Sequence, residues 1–380
     1  MSINKVRLED CCVSISDGDH LPPPKAEKGI PFITISNINS YNQIDFTNTM
    51  FVPEDYYNNL DTKRKAQRGD ILYSVVGSFG IPILISEDKK FVFQRHIAIL
   101  RPDTSVDSRY LYYKMLSKDF YAMADAAAIG AAQRTISLTA LRNMEITLPN
   151  IDIQRKIADI LSKYDNLIEN NQKQIKLLEE ASQRIYKEWF VDLRFPGYES
   201  ATITDGLPEG WTKKLLGEVV PILTGKKDAN YGTKDGGYPF FTCSQEPIKA
   251  PSYSFDTSAV ILAGNGDFNV KLYRGKFEAY QRTYVLSPND LKHLYLLYHA
   301  VNSNMNKLVK GASGSTIKFL TKGMIESIEI LIPTESVLLQ FYQFMEEIQC
   351  KIEVLKKSIV LATEARNRLL PKLMSGEIEV

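Results

Sequence analysis

Catalytic groups are what this sequence has least of. The chain holds only four histidines in 380 residues, His20, His96, His293 and His299. None stands at a recognisable spacing from a nucleophile or a second metal ligand, so a surface or core role outweighs catalysis for each. The four cysteines, Cys11, Cys12, Cys243 and Cys350, form no CxxC or Cys/His pattern. They suggest neither a zinc site nor a disulfide framework, and they fit a reducing compartment. There is no GxxxxGK[ST] phosphate loop, and Gly264-Asn265-Gly266 is too short a turn to name a nucleotide site. The Asn/Asp-Pro-Pro-Tyr/Phe tetrapeptide expected of an amino-group methyltransferase is also missing. A formal net charge of +1 argues against a polycation indifferent to sequence, although basic faces can hide behind acidic ones. No apolar run approaches eighteen residues and no charged-then-apolar leader is seen, which predicts a cytoplasmic chain outside any membrane. With 44% hydrophobic and 24% charged residues, the composition is that of a chain with room for two cored domains. It reads as a binder that works through partners, with no metal of its own, and not as an enzyme.

The strongest pattern present is periodic. From Leu148 to Tyr198 apolar residues recur at alternating steps of four and three, at Ile153, Ile157, Ile160, Tyr164, Leu167, Leu178 and Ile185. That spacing predicts a long helix with a heptad seam. Asn171 and Gln174 interrupt it, and a polar seam residue fixes register at some expense of stability. A second stretch near the C-terminus has a cleaner seam at Phe341, Met345, Ile348, Ile352, Leu355, Ile359, Ala362, Leu369 and Leu373, with Arg366 its one charged member. Each is introduced by a strand-like run ending in proline, EITLP at Pro149 and EILIP at Pro333, because proline suits the start of a helix and not its interior. The step from Pro149 to Pro333 is the step from Ala181 to Ala365, Arg184 to Arg368 and Ile185 to Leu369. This marks an internal duplication. Two apolar stripes leave water together if the helices pair as an antiparallel coiled coil, with a pseudo-twofold relation between the halves. About forty residues at 1.5 Å each give roughly 60 Å, enough to hold two globular units apart.

The expected fold class is α+β. Residues 1–150 form a strand-rich unit, 151–206 the central helix and a linker, 207–332 a second strand-rich unit, and 333–380 the C-terminal helix. Short apolar runs separated by turn residues, such as GIPFITIS at Gly29 and GDILYSVVG at Gly69, mark the strands of the first unit. The second unit replays them. Gly29-Ile30-Pro31-Phe32 becomes Gly237-Tyr238-Pro239-Phe240; Phe93-Gln94-Arg95 matches Tyr280-Gln281-Arg282 and Gly77 matches Gly264; Tyr110 and Tyr113 match Tyr295 and Tyr298; Gly130, Thr135 and Ile136 match Gly311, Thr316 and Ile317.

Polar and basic residues recur on the loops between strands. In the first unit these are Lys63 and Arg64, Gln94 and Arg95, and Gln133 and Arg134; in the second, Lys226 and Lys227, Asn265, Gln281 and Arg282, and Ser315 with Lys318. Arg and Lys position phosphates or read guanine, and Gln and Asn pair with adenine edges, so this set suits double-stranded DNA. The competing reading is a solvated loop for the lysine runs and a structural pair for Gln94 with Arg95.

The order of the units, the helix starts carrying Gln154 and Gln340, the run IYKEWFVDLRFPGYE at Ile185 to Glu199, LPEGW at Leu207 and LLPKLMSGEI at Leu369 together resemble the DNA-specificity subunit of type I restriction-modification systems. The resemblance covers essentially the whole chain. It implies two target recognition domains, each reading one half of a bipartite site. It also implies helices that dock two modification subunits, which bring S-adenosylmethionine and methylate adenine at N6. Restriction subunits would add ATP- and Mg-dependent translocation and cleavage. No catalytic or cofactor residue carries over to this chain, and no base-contacting residue carries over by position. The alternative is a coiled-coil scaffold or adaptor without DNA sequence preference.

Overall fold

The computed structural model describes residues 4–18, 22–130, 134–314 and 318–380. By its packing the chain divides into two compact units, Met1–Asn171 with Lys357–Val380, and Gln172–Lys356. The division falls inside both long helices, Ile151–Phe190 and Glu335–Ser375, so each strand-rich domain keeps half of each helix.

In the first unit a four-stranded sheet runs in the order Cys12–Asp17, Ile97–Pro102, Ile71–Ser74, Pro82–Leu84. A three-stranded sheet is formed by Met50–Val52, Ile30–Ile33 and Val92–Phe93, the last pair being parallel. The chain's first strand, Asn4–Arg7, pairs with Glu145–Leu148 just before the central helix. These short strands are the alternating and apolar runs of the sequence, and residues 94–96 break one such run into two strands. The helical stretch that follows is two helices, Ser108–Leu116 and Lys118–Ala127, because Ser117 caps the second by accepting from the Phe120 N–H at 3.3 Å.

The second unit repeats this order with one difference. Ile222–Thr224, Thr283–Leu286, Phe255–Ala263 and Val270–Ala279 take the places of the first four strands, and Tyr238–Phe241 with Ile248–Ala250 continue the sheet to six. Val270–Ala279 runs unbroken where the first unit is interrupted after Leu84, and this joins the two sheets into one. Thr212–Leu215 pairs with Glu329–Ile332 as the first strand pairs in the other unit. The duplication is therefore topological as well as sequential, and the class is α+β.

Main-chain pairing corrects several matched landmarks. Leu8 N–H donates to Met144 and Leu216 N–H to Ile328, so the repeats begin in step. Gln94 N–H donates to Ile33, and its counterpart donating to Phe241 is Tyr280, not Gln281. Arg95 thus stands opposite Gln281 and His96 opposite Arg282. Gly77 answers to Gly266, each followed by a phenylalanine whose N–H returns to that glycine's carbonyl. Thr135 and Ile136 answer to Phe319 and Leu320, and Gly130 to Gly314; Thr316 and Ile317 lie outside the described residues. Identical neighbouring letters misled the comparison, whereas hydrogen bonds do not depend on side-chain identity.

Asn150 caps the central helix, its side chain accepting from the Ile153 N–H at 3.0 Å. The two helices run antiparallel within the first unit, since Asp165 meets Arg366 and Asn171 meets Ser358. In the second unit Tyr186 and Phe190 pack on Phe341. Every seam residue expected on the C-terminal helix is buried or half-buried, with Phe341, Met345, Ile352, Leu355, Ile359, Ala362 and Leu373 fully so. The central helix differs. Ile157 is buried, while Ile153, Ile160, Tyr164, Leu178 and Ile185 are half-buried and Leu167 is 43% exposed. The other buried positions are Gln154, Ala158, Leu161, Ile168, Asn171, Ser182, Tyr186 and Phe190, one residue further along than the expected seam for most of the length. A straight helix drifts against a strict heptad, and this one also turns its stripe toward the strand-rich domains. Ile157, Ala158 and Leu161 share a core with Tyr110, Tyr113 and Leu373.

Asn171 is 4% exposed and donates to the Ser358 hydroxyl at 2.9 Å, so the polar interruption is satisfied across the helix pair. Gln154 and Gln340 are not counterparts. Gln154 is 2% exposed, accepts from the Asp107 N–H at 3.0 Å and donates to the Pro149 carbonyl, whereas Gln340 faces solvent and Leu338 occupies the buried position. Among the described residues no helix is long and apolar enough to cross a membrane.

Candidate nucleic-acid interface

In the first unit five loops meet at one end of the sheets. The turn at residues 94–96 is held by its own Ile97 N–H to Gln94 carbonyl bond, by Gln94 N–H to Ile33, and by Val75 N–H to His96. Val75 in turn accepts from Ile136, and the Gly77 N–H donates to Arg134. Beneath the turn lies Gly18, whose N–H donates to the Ile97 carbonyl at 3.0 Å. A Cβ there would stand 2.3 Å from the Phe93 carbonyl oxygen and 2.4 Å from that of Gln94, so only glycine fits. The constraint is close approach of two backbones and not a left-handed φ.

The second unit builds the same end from the same parts. Tyr280 N–H donates to Phe241, Thr283 N–H to Tyr280, Gly264 N–H to Arg282 and Leu320 N–H to Gly264, while the Gln281 N–H donates to Lys227 at 3.0 Å. Gly225 takes the place of Gly18, and a Cβ on it would lie 1.9 Å from the Ala279 carbonyl oxygen. Neither glycine belongs to the candidates read from the sequence, although Ile15-Ser16-Asp17-Gly18 and Ile222-Leu223-Thr224-Gly225 share their ends and their step.

These loops gather most of the candidate DNA-contacting residues. Gln94, Arg95 and Arg134 lie at the first unit's end, and Lys227, Asn265, Gln281, Arg282 and Lys318 at the second's, with Lys226 exposed beside Gly225. Lys63 and Arg64 join the first through the neighbouring strand: the Ser16 hydroxyl donates to the Lys63 carbonyl at 2.9 Å, and Arg64 stands 4.0 Å from Asp17. No counterpart of that loop exists in the second unit, where only residues 251–254 join the corresponding strands. Gln133 and Ser315 lie outside the described residues.

The gathered side chains are not equally available. Arg134 is half-buried, bonded to the Asp125 carboxylate at 2.8 Å and also to that residue's carbonyl, with its guanidinium 6.0 Å from the Phe79 ring. It fastens one loop to a helix. Lys227 sits 4.4 Å over the Tyr231 ring, and Arg282 lies 5.6 Å from the Phe319 ring centre. Arg95 and Gln281 differ from these. Both are exposed, and among the described residues neither side chain has a hydrogen-bond or ion-pair partner.

Each domain is fastened to the helices by buried or half-buried polar groups. In the first unit the Tyr113 hydroxyl donates to Asp165 at 2.5 Å, and Arg366 holds the other carboxylate oxygen at 2.5 Å. Burial, and then the Asp165 charge, push the Tyr113 phenol up. In the second unit Arg274 grips Glu346 with both amino groups, at 2.5 and 2.7 Å, and the Tyr295 hydroxyl adds a bond at 2.8 Å. The Arg274 bond is the main reason the Glu346 carboxyl is held down to about 2. His299 lies in the same seat, stacked 5.5 Å from Tyr186 and edge-on to Phe341, and burial lowers it to about 4. It is a neutral core histidine. Among the described residues no group of three or more His, Cys, Asp or Glu side chains is placed to hold a metal ion.

The run IYKEWFVDLRFPGYE has a structural meaning in the second unit. Phe190 and Phe195 lie 5.6 and 4.8 Å from Trp211, and Phe190 meets Phe341 edge-on at 4.7 Å. These rings weld the end of the central helix to the start of the following domain.

Comparison with known proteins assigns this architecture. The model of the type I restriction modification DNA specificity domain matches residues 4–180 and 208–359. The EcoDI specificity subunit of Escherichia coli is 39% identical over 168 residues, which are 44% of this chain and 36% of that protein's length. The putative MjaX specificity subunit of Methanocaldococcus jannaschii is 25% identical over 403 residues, covering 98% of this chain and 93% of that protein. The crystal structure of a type I restriction-modification S subunit from M. genitalium superposes with a TM-score of 0.60 at 17% identity, over 98% of this chain and 96% of that one, and so shares the fold. With both strand-rich units matched by the family model, the chain belongs to the type I restriction-modification DNA specificity family.

Proposed function

We propose that this chain reads a bipartite site in double-stranded DNA, one half-site per strand-rich unit, and thereby directs adenine-N6 methylation and restriction by partner subunits. The duplicated loop end carries the reading: two copies of one scaffold present Arg95 and Gln281 on clamped turns among further polar and cationic side chains. Two modification subunits would supply S-adenosylmethionine, and restriction subunits ATP and Mg. Docking of partners on the helices is supported by apolar side chains left on their outer faces, Leu177 and Val354 in the second unit and Leu167, Val360 and Leu361 in the first. The cytoplasm is the compartment where such an assembly meets DNA.

The test is a single-molecule methylation map of cells expressing the neighbouring modification subunit with and without this chain. A split adenine-methylated motif that appears only with the chain supports the reading and gives both half-sites. A folded partner with no such motif, or a complex that binds all sequences equally, refutes it in favour of a scaffold without sequence preference.

A further inference from the structure

We infer that the exposed tip of the clamped turn is the base-reading element in each unit, with Arg95 reading a guanine in one half-site and Gln281 an adenine in the other. This rests on the DNA-reading role proposed above and goes further, to the residue and the base. Three observations converge on these two positions. They are equivalent by main-chain pairing, since each follows the residue whose N–H donates to the parallel strand, Gln94 to Ile33 and Tyr280 to Phe241. Both side chains are exposed and uncommitted, whereas Arg134, Lys227, Arg64 and Arg282 already hold a carboxylate or face a ring. Finally, the backbone beneath them cannot give way, being pinned by inter-loop bonds and seated on a glycine with no room for a Cβ.

The chemistry follows from the side chains. An arginine fork matches the O6 and N7 acceptors of guanine, and a glutamine amide matches N7 and the N6 amino group of adenine, each as a pair of parallel hydrogen bonds in the major groove. A reader on a rigid turn loses little conformational freedom on contact, because only its own side chain remains to be ordered. Phosphate contacts, by contrast, would carry no base information.

The experiment uses the chain assembled with its modification subunits, in cells and as the purified complex. Arg95→Ala should make one G·C position of one half-site degenerate and Arg95→Gln should shift that position toward A·T, each leaving the other half-site intact. Gln281→Ala should make one A·T position of the other half degenerate. In competition binding to duplexes altered at that position, the preference should fall roughly 5- to 150-fold, the worth of one bidentate contact. A variant whose motif is unchanged while all sites are methylated more weakly marks a phosphate contact and overturns the inference. Loss of both half-sites together, or a lowered melting temperature in both Arg95 variants, marks a structural role and also overturns it. Wild-type complex that yields no split motif sinks the underlying reading as well, so the two failures are told apart.

Discussion

Acidification should loosen the second unit through one side chain. His299 is 3% exposed, stacked on Tyr186, edge-on to Tyr298 at 5.0 Å and to Phe341 at 6.3 Å, and burial lowers its pKa from 6.5 to about 4. The unfolded chain therefore takes up this proton near pH 6.5, and the folded chain only near 4. Between those values the unfolded state binds more protons, so stability is lost as pH falls. At 1.36 kcal/mol per pKa unit, the loss between pH 7.5 and pH 5 is about 2 kcal/mol. With a urea slope of about 2 kcal/mol/M that moves the midpoint by about 1 M. Tryptophan fluorescence isolates the event, because the chain's two tryptophans, Trp189 and Trp211, both lie in this unit, Trp189 packing on Phe341 at 5.5 Å. His299→Leu keeps the packing and removes the proton site, and comparison with wild type cancels the other titrating groups. An equal acid-induced drop in His299→Leu would refute the reasoning, as would an imidazole that titrates near 6.5 in the folded protein by NMR.

The phase of the central helix is open to a paired truncation. Leu161→Ala should cost roughly 2–5 kcal/mol as a buried leucine leaving a cavity, and Leu167→Ala no more than about 0.5 kcal/mol; thermal melts by circular dichroism that rank them the other way would restore the strict heptad phase. Gly225→Ala places a Cβ 1.9 Å from the Ala279 carbonyl oxygen, so the turn must shift, at about 1–3 kcal/mol or more. It should degrade one half-site of the methylated motif and Gly18→Ala the other, and two intact half-sites in both variants would remove the clamp from the mechanism.

The C-terminal helix was legible because its buried stripe keeps the heptad phase through Phe341, Met345, Ile352, Leu355, Ile359 and Ala362, with apolar neighbours such as Val354, Val360 and Leu361 left exposed. The central helix is ambiguous by composition. Leu167 and Ile168 are adjacent and equally apolar, as are Ile160 and Leu161, and a pattern of letters cannot say which of two neighbours faces inward. Packing decided it, since the inward face must serve a helix and a strand-rich domain together. The repeat was legible at Pro149 and Pro333 and at the two Pro-Phe strands, where backbone chemistry constrains the residue. It slipped at the turn, where the shared pair Gln-Arg outweighed a one-residue shift that only hydrogen bonds reveal.

Availability of a side chain is a fact about third parties, and this is why the candidate site was only partly legible. Arg95 and Arg134 look alike in sequence, each preceded by glutamine, yet Asp125 engages one and nothing among the described residues engages the other. What singles out the turn tip is the way it is held. The bonds pinning it all end on its own main chain, the Cys243 thiol to the Arg282 carbonyl included, and the contact beneath it is a glycine, so no restraint depends on which side chain the tip bears. The scaffold can then stay constant while its reader varies. The two units differ at that position in this sense, with Arg95 opposite Gln281 and His96 opposite Arg282, while Gly18 and Gly225 are the same. With the base-reading role inferred above, a single substitution at the tip should change the target base, whereas a change beneath it should disturb every loop of that end at once.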